Sequence, residues 1–173
     1  MDTDVEVCKP IDDLLQYNAC SGFESETKIL TGTFASCRAN EWIDYLLSYY
    51  ENKHFVNKDG RYDMTTNVET ITKMTKTKYD VRLNNTFQIF GDNYALFPFE
   101  YLCAKSLMDG RIYKSDKIYT IHHFSGSWLT PWQRFRHRVK IDITLLFGEN
   151  VVKKLKILVN YFFIRMIEDA TIK

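Results

Sequence analysis

Phe87-Gln88-Ile89-Phe90-Gly91-Asp92-Asn93-Tyr94-Ala95-Leu96-Phe97-Pro98 decides the fold class. Two short apolar runs flank Gly-Asp-Asn, a turn signal, so the stretch predicts a β-hairpin that Pro98 ends. Upstream the periodicity becomes helical. Asn40 is a good N-cap, and Trp42, Ile43, Leu46, Leu47 and Tyr50 recur at i, i+3, i+4, which predicts a helix to about Asn52. Val68, Ile71 and Met74 mark a weaker helix from Asn67 to about Thr77. Asp12–Tyr17 reads as a short helix with acids in its first turn, and Thr27–Ser36 as a β-favouring stretch with Gly32 inside it. Downstream, Lys117–Phe124 predicts a strand. Helices follow from Pro131 to about Phe147 and from Glu149 to Glu168. Strands and helices interleave as far as residue 130 and helices close the chain, an α/β pattern.

The composition agrees with one folded domain. Of 173 residues, 45% are hydrophobic, 26% charged and 15% aromatic, which excludes a disordered chain, a collagen and a small disulfide scaffold. The net charge of +1 gives no argument for nucleic acid as a partner. It hides an asymmetry, however: residues 1–131 are net acidic, whereas residues 132–173 hold nine Lys/Arg against four Asp/Glu. A basic tail points to an anionic surface. Cys8, Cys20, Cys37 and Cys103 are widely spaced and read as reduced thiols. Asp2, Asp4 and Glu6 stand where a signal peptide would be basic, so a cytoplasmic protein is expected.

Two motifs carry chemistry. Asp2-x-Asp4 offers oxygen ligands for a hard divalent cation, Mg²⁺ or Mn²⁺, although such a pair also occurs in plain acidic loops. The second is His122-His123-Phe124-Ser125-Gly126-Ser127-Trp128. Imidazole can complete a metal site, and a Ser hydroxyl with turn amides can hold a phosphate. The plainer alternative is a strand end that packs Trp128 into the core and leaves one His in water.

Together the two motifs carry a resemblance. Residues 1–15, Met-Asp-Thr-Asp-Val-Glu-Val-Cys-Lys-Pro-Ile-Asp-Asp-Leu-Leu, resemble the D-x-D segment of bacterial capsule-synthesis sugar transferases, the family named for its sugar-binding region with the DXD motif. Tyr119–Trp128 resembles that family's closing motif, and Tyr49–Phe55 and Phe99–Ser106 look like its middle. The resemblance implies the C-terminal portion of a GT-A-type nucleotide-diphospho-sugar transferase fold over 1–130, followed by basic amphipathic helices over 131–173.

It also implies an activity: metal-dependent, retaining transfer of a sugar from a nucleotide-sugar donor to a glycan or lipid-linked acceptor of surface or capsular polysaccharide. Asp2 and Asp4 match the family's aspartates and would hold Mn²⁺ or Mg²⁺ and the donor. By the same resemblance His123 is favoured over His122 as the third metal ligand. Gly126, Ser127 and Trp128 match positions expected at the donor's phosphates and sugar. No residue is assigned as catalytic nucleophile. The family's nucleotide-binding half lies ahead of its D-x-D, so the chain is expected to lack that half. The alternative function is a truncated, non-catalytic remnant, or a partner- or membrane-binding module of the same fold. Val152, Leu155, Val159, Phe162, Phe163 and Met166 form an apolar stripe beside Lys153, Lys154, Lys156 and Arg165, an arrangement that can lie on an anionic membrane and would place the protein on its inner face.

Overall fold

A computed structural model describes residues 1–127, 129–148 and 154. The chain is mixed α/β and divides into two compact units, the first made of residues 1–106 and 112–124, the second of 107–111 and 125–173.

The first unit is built on β2 (Ala19–Ser25) and β6 (Tyr94–Phe97), which pair in parallel, Ala19 opposite Tyr94 and Gly22 opposite Phe97. β5 (Gln88–Phe90) returns antiparallel on β6 as the expected hairpin. On its other edge β2 pairs with β3 (Lys28–Ile29) and β4 (Ala35–Ser36). The β-favouring stretch over 27–36 is therefore two short strands, and Leu30–Phe34 leaves the ladder between them.

The side-chain alternation of β6 divides the core between the two faces of the sheet. Tyr94 and Leu96 join Phe23, Ile29 and Val81 on one face, together with Trp42 and Leu46 of α1 (Glu41–Ser48). Ile71 and Met74 of α2 (Asn67–Lys78) pack against the same cluster. Ala95 and Phe97 join Leu14, Cys20, Leu30 and Cys103 on the other face, with Leu102 of α3 (Phe99–Leu102). Asn40 caps α1, its side chain accepting from the amides of Trp42 and Ile43. The helix stops at Ser48, four residues short of its expected end. The indole of Trp42 is fully buried and donates to Thr75 Oγ1 (3.0 Å), which ties α1 to α2.

The cysteines are all free; burial pushes the Cys20 thiol up to about 11 and that of Cys103 to about 12. Both are inert at neutral pH.

A separate antiparallel ribbon joins β1 (Val5–Val7) to β7 (Thr120–His122), with Val5 opposite His122 and Val7 opposite Thr120. The expected strand over 117–124 is thus confined to Thr120–His122. Three bonds fasten this ribbon to the second core face. The Thr120 hydroxyl donates to the Leu102 carbonyl (2.7 Å), the His122 amide to that of Cys103 (2.9 Å), and the Asp2 amide to that of Gly32 (2.8 Å).

In the second unit α4 (Pro131–Phe147) has the bounds its sequence predicts. Thr130 and Gln133 form a capping box, with Pro131 in the first turn, where its missing N–H costs nothing. Trp128, the expected helix over 149–168 and the stripe from Val152 to Met166 lie outside the described residues. Among those described, no helix is long and apolar enough to cross a membrane.

Candidate metal centre

The ribbon brings Asp2, Asp4 and His122 together, each offering one ligand atom within 4.8 Å of the others. His122 Nε2 lies 3.4 Å from Asp4 Oδ1 and 3.9 Å from Asp2 Oδ2. Asp2 is open to solvent, whereas Asp4 is largely covered and His122 is buried.

The expectation that put His123 in this group is corrected to His122. Successive residues of a strand point to opposite faces, so only one of the two histidines can meet the aspartates. Glu6 and His123 share the other face, where His123 Nε2 lies 2.8 Å from Glu6 Oε2. The two histidine–carboxylate pairs stand back to back across one ribbon. Asp4 escapes the strand alternation because it sits in the turn before β1, while its carbonyl still accepts from the His123 amide (3.0 Å).

Two neighbours fix the His122 ring. Gly32 runs beneath it so closely that a Cβ at this position would lie 2.7 Å from Nδ1 and 2.8 Å from Cε1. A glycine that read as strand interior is thus a spacer against the imidazole. Phe124 also packs its ring 4.1 Å from that of His122, with the planes 35° apart. The contact needs the backbone of Phe124 at φ 53°, a left-handed conformation that bulky residues avoid. Strain of this kind collects at functional sites. The sequence carried no local signal for the role of Gly32 or Phe124, because each depends on a partner distant in sequence or on an unusual φ.

Burial holds His122 below the ordinary histidine value, while the Asp4 and Asp2 carboxylates pull the other way. Burial therefore favours the neutral imidazole, the form that binds metal. Its Nδ1 is buried without a hydrogen-bond partner, so only Nε2, on the side of the carboxylates, meets polar groups. Two carboxylate oxygens and an imidazole nitrogen suit a mid-row divalent cation such as Mn²⁺ better than Mg²⁺, which prefers all-oxygen shells. Three protein ligands would leave coordination positions for an exogenous oxygen ligand, reached from the open side of Asp2.

Of the other expected donor-site residues, Gly126 and Ser127 lie in the second unit. Gly126 takes φ 56° and its carbonyl accepts from the Leu129 amide (2.9 Å), so the small-residue stretch is a tight turn. No protein-family model, curated protein or solved structure matches the chain.

Proposed function

We propose that the chain is the catalytic-site portion of a metal-dependent glycosyltransferase of GT-A type, using a nucleotide-sugar donor and a glycan or lipid-linked acceptor. Asp2, Asp4 and His122 hold the divalent cation, with Mn²⁺ favoured, and the bound cation would supply positive charge to the leaving nucleotide diphosphate. The observation that carries this reading is the convergence of an acidic pair and a neutral, buried imidazole some 120 residues apart in sequence. Asp2 is the most exposed of the three, so an incoming phosphate would reach the cation from its side.

The test is a Mn²⁺ titration of the full chain followed by calorimetry, paired with donor hydrolysis. Asp4→Asn and His122→Ala should each weaken Mn²⁺ by at least about tenfold and abolish hydrolysis, while His123→Ala leaves Mn²⁺ affinity unchanged. Undiminished Mn²⁺ binding in both Asp4→Asn and His122→Ala refutes the site. Normal binding by the wild-type chain with no turnover of any nucleotide sugar refutes the transferase reading while leaving the metal centre standing.

A further inference from the structure

Helix α4 carries an apolar stripe that is largely exposed, with Ile143 half-buried within it. At about 100° per residue, Trp132, Phe135, Val139, Ile143 and Leu146 fall on one face within an arc of about 80°. Trp132 is 65% exposed, Phe135 56% and Leu146 76%, and the first two stack with ring centroids 5.6 Å apart. The opposite face seats the helix: Ile141 packs over Gly110, Lys140 Nζ lies 3.9 Å from Met108 Sδ, and Thr144 is buried. The stripe therefore points away from these contacts.

We propose that α4 docks this stripe on an anionic lipid surface, lying in the plane of the interface with its arginines on the headgroup phosphates. Charge selects this occupant. Arg138 flanks the stripe on one side, with Arg134 farther round, Arg136 and Lys140 flank it on the other, and the helix holds a single acid, Asp142. A second copy of the chain would bring these like charges together across the interface, which is costly. A surface of anionic headgroups meets them with opposite charge, while Trp132 and Phe135 enter the headgroup–acyl boundary where aromatic side chains are favoured. The capping box and Pro131 start the helix firmly one residue before Trp132, so the aromatic pair is presented by a pre-formed turn. This inference stands apart from the metal centre and does not need the transferase reading.

The experiment is co-sedimentation of the full chain with vesicles of phosphatidylcholine alone and with vesicles holding roughly one-third phosphatidylglycerol, which adds the negative surface potential. The wild-type chain should bind the anionic vesicles only, and high salt should release it. Combining Arg134→Gln, Arg136→Gln and Arg138→Gln should lower the partition coefficient by roughly 100-fold, since each basic group at such a surface contributes about a factor of five. Trp132→Ser with Phe135→Ser should abolish binding. Far-UV circular dichroism should be unchanged in both variants, because the altered side chains are exposed. If a variant unfolds, the salt dependence of the wild-type chain reads the same charge contribution. The proposal is overturned by a wild-type chain that ignores anionic vesicles or binds neutral ones equally well, and by undiminished binding of Trp132→Ser/Phe135→Ser. Self-association that this double substitution abolishes also overturns it, in favour of a dimer face.

Discussion

Gly32→Ala tests whether the imidazole of His122 is held in place by the backbone beneath it. The new Cβ would stand 2.7 Å from Nδ1, 2.8 Å from Cε1 and 3.2 Å from Cγ, where ordinary contact begins at 3.4 Å. Something must move by about 0.7 Å. The ring is also packed against Phe124, with centroids 4.1 Å apart. The loop is not free either, since the Gly32 carbonyl accepts from the Asp2 amide at 2.8 Å. If the ring yields, Nε2 leaves the carboxylates; if the loop yields, Asp2 is carried off with it. Overpacking of this kind costs about 1–3 kcal/mol, or roughly 2–12 °C in Tm for a chain of this size. Displacing an oriented ligand should weaken Mn²⁺ by roughly 10–100-fold. Calorimetric titration with Mn²⁺ beside a thermal melt reads both quantities on folded protein. Adding Phe124→Ala removes a ring packed against the imidazole and should recover part of the affinity. A Gly32→Ala chain with wild-type Mn²⁺ affinity would show that this contact does not position the ligand, and the account of the site would fail there.

Thr75→Val keeps the volume at the α1–α2 contact but leaves the buried Trp42 N–H with no acceptor, so urea denaturation should show a loss of about 1–3 kcal/mol; an unchanged midpoint would mean that the bond contributes nothing. Burial raises the Glu24 carboxyl above its ordinary value, so the folded chain holds that proton more tightly than the unfolded one. The favourable contribution is fully present below the unfolded value and is lost as pH rises through the raised folded one. Glu24→Gln should therefore melt higher than wild type at pH 7, with the difference vanishing below about pH 4; an equal difference at both values would exclude titration as its source.

The elements legible in the sequence are those that local chemistry specifies. The β5–β6 hairpin follows from its turn residues, α1 from the Asn40 cap, and α4 from Thr130, Pro131 and Gln133. The strand at the centre of the sheet was not legible. Ala19-Cys20-Ser21-Gly22-Phe23-Glu24-Ser25 lacks both alternation and β-branched bulk, since its first five residues are buried and small ones are needed where neighbours approach. A Cβ on Gly22 would come within 3.2 Å of Leu102 Cβ and 3.3 Å of the Phe97 carbonyl oxygen, so α3 can pack on β2 only where there is no side chain. Ser21 lies buried, with its hydroxyl 2.8 Å from the Leu30 carbonyl, a polar residue made acceptable by a partner nine positions away. Such a strand is specified by what packs on it, and period-2 reading sees only the strand itself.

The candidate site divides along the same line. An acidic pair beside a strand is visible in the sequence, and a histidine to join it was implied by the family resemblance; the choice between adjacent histidines was a question of face. That choice is set by the pairing of Val5 with His122 together with the turn that carries Asp4 out of alternation, neither of which is local to His122-His123. Solvent then separates the chemistry of the two pairs. His123 and Glu6 face water and satisfy each other at 2.8 Å, an arrangement complete without a cation. His122 packs against Gly32 and Phe124, is driven toward its neutral form by burial, and places Nε2 3.4 Å from Asp4 and 3.9 Å from Asp2. In the proposed reading, the burial that keeps His122 neutral leaves Nε2 able to ligate a cation beside Asp2 and Asp4, whereas a charged imidazole could not.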